Sequence, residues 1–148
     1  MATLNQEEIK EYIPHGEPFL FIDELIDIEK LKKATGVKTF TQNDDFFRGH
    51  FPEQPVVPGV ILVEMMAQTA AALIAYSIKE ETFDKIVYLM NIDNTKFRKP
   101  VFPNEKIFAK VNALRSKGRV WKFEGILVDE EDDKVAESTW CATIMDKN

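Results

Sequence analysis

From Met65 to Ile78 the chain runs fourteen residues without a charge, MMAQTAAALIAYSI, and alanine stands at positions 67, 70, 71, 72 and 75. A segment apolar on every side is a helix that must be covered on every side. The charge-free run is shorter than the ~20 apolar residues that span a bilayer, so it reads as a core helix rather than a membrane span. Its alanines keep it thin, which lets a sheet curve closely around it. Pro58 suits a first helical turn, where a missing N–H costs nothing, and the predicted helix covers residues 58–78.

The flanks supply the wrapping. Period-two alternation with β-branched and aromatic residues predicts strands over 19–29, 33–41, 85–92, 106–116, 119–128 and 135–145. Ser116-Lys117-Gly118 and the acidic run Asp129 to Asp133 are their turns, the latter a solvated hairpin tip. Asn5 with Glu8 three positions on has the form of a capping box, opening a short helix that ends before Pro14. The expected architecture is one α+β domain over residues 1–148, an antiparallel sheet around a long central helix.

Charge and cysteine content exclude several function classes. Lys and Arg total 19 against 25 Asp and Glu, a net charge of −6, which argues against general nucleic-acid binding. A single cysteine, Cys141, has no partner for an intramolecular disulfide and fits a reducing compartment. The segment MATLNQEEIK lacks the cationic and apolar blocks of a signal peptide. A cytoplasmic protein with no membrane partner is expected.

Only two side chains are ready-made bases near neutral pH, His15 and His50. His50 lies in GHFPEQPVVPG, where three prolines and two glycines stiffen eleven residues just before the helix. Glu64 sits in the second turn of that helix, with Gln68 four residues on and on the same face. A carboxylate among Val60, Ile61, Leu62, Val63 and Met65 is pushed toward its protonated form, and an apolar setting keeps imidazole neutral. A neutral base facing a neutral acid is what removal of water from a β-hydroxy carbonyl compound requires. The N–H of Gly59, at the helix N-terminus, has the polarity to receive a carbonyl oxygen as enolate charge develops. The same residues also fit a plain structural role, a buried Glu held by backbone donors and a His capping a turn. No nucleophile motif, phosphate loop or metal-spaced cluster competes, and neither a metal nor a cofactor is expected.

Several segments together resemble the FabZ-type β-hydroxyacyl-acyl-carrier-protein dehydratases, a hotdog-fold family. They are IPHGEPFLFID (residues 13–23), FFRGHFPEQPVVPGVILVEMMAQ (46–68), IDNTKFRKPVFP (92–103) and VWKFEG (120–125). The resemblance implies His50 as catalytic base and Glu64 as catalytic acid. It implies Gly59 as the donor to the thioester carbonyl, and a dimer in which each Glu64 faces the His50 of the other subunit, assembled as a trimer of dimers. The related dehydratase-isomerase type carries Asp where Glu64 stands, so Glu64 favours the simple dehydratase. The implied substrate is a (3R)-hydroxyacyl chain on acyl carrier protein and the implied product a trans-2-enoyl thioester.

Tyr88 aligns with a tyrosine at the mouth of the family's acyl tunnel, and His15 and Gln68 are expected to shape the substrate site. Lys96, Arg98, Lys99, Lys117, Arg119 and Lys122 are candidates for one basic face toward an acidic carrier. Asn91, the turn PNE (103–105) and the hairpin VDEEDDKV depart from the family pattern without touching His50 or Glu64. A hotdog thioesterase using Glu64 with water, and a non-catalytic acyl-thioester-binding module, are the alternatives.

Overall fold

The computed structural model describes residues 2–78 and 85–146. Among these, seven strands form one antiparallel sheet: β1 (Ala2–Asn5), β2 (Glu24–Glu29), β3 (Lys33–Thr39), β4 (Lys85–Phe97), β5 (Lys106–Lys117), β6 (Val120–Asp129) and β7 (Lys134–Asp146). Their spatial order is β1-β2-β3-β5-β6-β7-β4. A short helix α1 (Gln6–Ile9) precedes β2, and the long helix α2 (Gly59–Ser77) lies against the sheet. This is the hotdog fold.

The apolar run does what its composition requires. Met65, Met66, Ala70, Ala71, Ala72, Leu73, Ile74 and Ala75 are all buried, and each large side chain among them contributes roughly 1.5–3 kcal/mol by leaving water. The helix as a whole has 19 residues. It is long and apolar enough to cross a membrane on length and composition alone, yet 67% of its apolar window is buried inside the fold. Close approach of β3 to α2 depends on Gly36: a Cβ there would lie 2.1 Å from the Thr69 hydroxyl oxygen. That hydroxyl is tied to the Met65 carbonyl at 2.8 Å and cannot simply turn away.

The capping box forms, with Asn5 Oδ1 accepting from the Glu8 N–H and Glu8 Oε1 accepting from the Asn5 N–H. Most strand boundaries differ by one or two residues, two differ more, and one strand was not expected. The strand expected from Phe19 begins at Glu24, because at Phe19 and Phe21 the backbone bonds to the Gln68 side chain of the helix instead of a neighbouring strand. Strand β4 continues beyond Ile92 to Phe97, with register shifts between Leu89 and Asn91 and between Asp93 and Lys96. Those irregularities break the alternation that would have revealed its length. Strand β1, four residues long, is too short to show any period.

The acidic run is a hairpin tip tied to neighbouring lysines, Lys99 on Asp129 and Lys110 on Asp132 at 3.3 Å. The hydrogen bond from Lys99 is the main cause holding the Asp129 carboxyl below its usual range, and the same bond raises Lys99. In the PNE turn Asn104 has φ 72, a left-handed conformation that asparagine tolerates better than most residues.

Candidate active site

His50 is fixed by both its backbone and its ring. Its N–H donates to the Phe46 carbonyl and its own carbonyl accepts from the Val56 N–H, each at 3.0 Å. The imidazole Nδ1 lies 2.8 Å from the Val56 carbonyl. A carbonyl only accepts, so Nδ1 carries the hydrogen and the neutral ring presents an unprotonated Nε2. The Phe51 ring stacks on the imidazole at a centroid distance of 4.0 Å. The far end of the loop is anchored where the Val57 N–H donates to the Val101 carbonyl at 2.9 Å. The prolines and glycines of the loop thus serve a compact turn in which one nitrogen of His50 is satisfied and the other left free.

Glu64 is held from its own helix. Gln68 Nε2 donates to Glu64 Oε2 at 2.8 Å and also to the Phe19 carbonyl at 3.0 Å. Gln68 Oε1 accepts from the Phe21 N–H at 2.8 Å. His15 Nε2 stands 3.5 Å from the same Oε2, while His15 Nδ1 is buried without a hydrogen-bond partner. The Glu64 side chain is 22% exposed, so within one subunit it is only partly enclosed, less than its apolar neighbours in sequence suggested. With Oε2 engaged, Oε1 is the oxygen left to meet a ligand.

Glu64, Gln68, His15 and Tyr88 line one cavity of about 230 Å³, walled by Phe19, Ala67, Ala71, Val87, Leu89, Trp140 and Ala142. Four of the six site residues expected from the sequence therefore come together. His50 and Gly59 are not among the lining residues. Gly59 opens α2 behind Pro58, which offers no side-chain cap, and a Cβ on Gly59 would lie 2.9 Å from the Phe97 ring. Trp140 was not singled out from the sequence; its only signal is an inward position in the alternation of β7.

The six basic residues do not form one face. Tyr88 and Val120 both pair with Thr143, whereas Lys96 and Ile126 both pair with Glu137. Six residues of strand separate these levels, about 20 Å. Arg98 is engaged by Glu137 and Lys99 by Asp129. Lys117, Arg119 and Lys122 stand at the other end, with Arg119 near Asp146 at 3.8 Å.

Comparison with known proteins follows the same lines. Residues 13–138 match the FabA-like domain. The chain is 47% identical to the 3-hydroxyacyl-acyl-carrier-protein dehydratase FabZ of Rhodospirillum rubrum, over 99% of this chain and 91% of that protein. It is 46% identical to the FabZ of Gluconobacter oxydans, over 93% and 81%. Its fold is similar to a chain of the dehydratase heterocomplex ApeI:P from Xenorhabdus doucetiae, with TM-score 0.77, 16% identity and coverage of 94% and 91%. That last likeness bears on the fold alone. With the domain matched over most of its length and close identity to FabZ relatives along nearly all of it, the chain belongs to the FabA-like family, among its FabZ 3-hydroxyacyl-acyl-carrier-protein dehydratases.

Proposed function

We propose that the protein dehydrates (3R)-3-hydroxyacyl chains carried on acyl carrier protein to trans-2-enoyl thioesters, in type II fatty acid synthesis. His50 is the base and Glu64 the acid, paired across a dimer interface. The observation that carries this reading is the imidazole itself: Nδ1 is engaged by the Val56 carbonyl, so the lone pair lies on Nε2.

In the reaction His50 Nε2 takes the α-proton, which the thioester carbonyl has already made acidic. The Gly59 N–H and the N-terminal dipole of α2 receive charge developing on the carbonyl oxygen. Glu64 Oε1 gives its proton to the departing β-hydroxyl, which leaves as water as the Cα–Cβ double bond forms. The imidazolium and carboxylate left behind return to their starting forms by net transfer of one proton from His50 to Glu64. The two proton transfers use only His50 of one copy and Glu64 of the other.

Two features support a shared site. His50 is absent from the lining of the cavity that holds Glu64. Strand β4 is one of the two edge strands of the sheet, and it carries Tyr88, Leu89, Met90, Ile92 and Phe97 at 41 to 53% exposure. A long apolar edge strand invites pairing with a second copy.

The test follows enoyl-thioester formation from a hydroxyacyl-carrier substrate. Folded His50→Ala and Glu64→Gln should each lose on the order of 10²–10⁴-fold in kcat. Near wild-type rates in both, or release of free thiol without enoyl product, would overturn the assignment.

A further inference from the structure

Of the two histidines, His15 is the one that the proton transfers leave unused, yet it stands beside the acid. Its Nε2 lies 3.5 Å from Glu64 Oε2, and its Nδ1 is buried with no hydrogen-bond partner among the described residues. The segment that carries it is tied down at both ends. The Ile13 N–H donates to the Ile9 carbonyl at 3.1 Å, and the Phe19 N–H donates to the Gly16 carbonyl at 2.7 Å. The Phe19 carbonyl is held by Gln68 Nε2, which also donates to Glu64 Oε2. One amide thus joins the segment of His15 to the helix of Glu64 and sets the spacing of the two side chains.

The partners decide which nitrogen of His15 carries the hydrogen. Gln68 cannot be turned end for end, because its Oε1 accepts from the Phe21 N–H while its Nε2 donates to the Phe19 carbonyl. Glu64 Oε2 therefore receives an N–H, the role of a carbonyl or carboxylate oxygen, and the acid proton belongs on Oε1. A hydrogen on His15 Nδ1 would be a buried donor with no acceptor, and it would turn the Nε2 lone pair toward an oxygen with no proton to give. With the hydrogen on Nε2 the ring faces Oε2 as a donor. The contact of 3.5 Å is about 0.5 Å longer than an ordinary N–H···O bond, as suits a neutral acid, which attracts a donor weakly. A carboxylate draws the same N–H in, since hydrogen bonds to ionised oxygens are shorter and roughly twice as strong.

Resting on the dehydratase reading above, we propose that His15 is a positioning residue for Glu64: its hydrogen sits on Nε2, and that N–H closes on Oε2 as Oε1 releases its proton to the departing hydroxyl. The bond tightens only as negative charge collects on Glu64, so it lowers the barrier without strengthening substrate binding. The two histidines then hold opposite tautomers, His50 with its hydrogen on Nδ1 and His15 with its hydrogen on Nε2. No proton leaves His15, and the proton balance of the reaction is unchanged.

The test has two arms. Nitrogen-15 NMR of the histidine-labelled protein reads each tautomer through the couplings of the ring nitrogens to the ring C–H protons, and His50→Ala assigns the two rings by subtraction. The wild type shows one ring of each tautomer, with the hydrogen of His15 on Nε2; a hydrogen on Nδ1 of His15 overturns the proposal. The second arm measures kcat and KM for a carrier-bound 3-hydroxyacyl substrate, with thermal melting of each variant to confirm folding. His15→Leu fills the space without a donor and lowers kcat roughly tenfold to a hundredfold, with KM unchanged. His15→Gln puts an amide N–H near the place of Nε2 and recovers most of that loss. A folded His15→Leu with wild-type kcat, a loss confined to KM, or a His15→Gln no better than His15→Leu overturns the proposal. Should His15→Leu not fold, the tautomer decides. A wild-type protein that forms no enoyl thioester overturns the dehydratase reading instead, while the tautomer of His15 is still read by NMR.

Discussion

Three hydrogen bonds leave the amide of Gln68, and they join parts of the chain that a sequence keeps far apart. Its Oε1 holds the Phe21 N–H and its Nε2 holds both the Phe19 carbonyl and Glu64. Gln68 is only 1% exposed, so water cannot readily replace it. Gln68→Leu should therefore destabilise the fold by about 1–3 kcal/mol through the orphaned backbone groups, measured as a lower denaturation midpoint. It should also lower kcat, since Glu64 loses its anchor. Unchanged values of both would show that the amide is dispensable. As candidates, His50 and Glu64 were legible in the sequence because each is chemically out of place, a base among prolines and an acid among aliphatics. The clamp was not, because a glutamine in an apolar helix does not reveal partners 47 and 49 residues away.

At the scale of elements, the long helix and the capping box were legible because both are local patterns. The start of β2 was misjudged for a physical reason: residues 19–23 are as apolar as a strand, but Gln68 takes backbone hydrogen bonds at Phe19 and Phe21 that a neighbouring strand would otherwise supply. Helix and sheet meet most tightly at Gly36 and Thr69. Gly36→Ala forces one of them to shift, and a loss of about 1–3 kcal/mol is expected from overpacking. Thr69→Ala in the same background removes the obstructing hydroxyl and should recover part of that loss. Thermal melting of the two variants and their combination checks it; simple additivity would contradict the contact.

Among the described residues, the apolar edge strand β4 has no strand on its outer side and His50 does not line the cavity that holds Glu64. Neither the strand order nor the separation of His50 from the Glu64 cavity could be read from periodicity, since both depend on which distant strands pair. The register also divides the basic residues between two ends of the sheet, so the cations near the level of Tyr88 are Lys117, Arg119 and Lys122 rather than the full set. The proposed site, shared between two subunits, would bring these facts together. Its most direct test is complementation between two dead variants. Co-expressed His50→Ala and Glu64→Gln chains form mixed dimers in which one site is doubly altered and the other intact. Random pairing makes half the dimers mixed, and recovery of roughly a quarter of wild-type dehydratase activity is predicted. Activity no higher than that of either variant alone, in mixed dimers shown to have formed, would mean that each chain builds its own site.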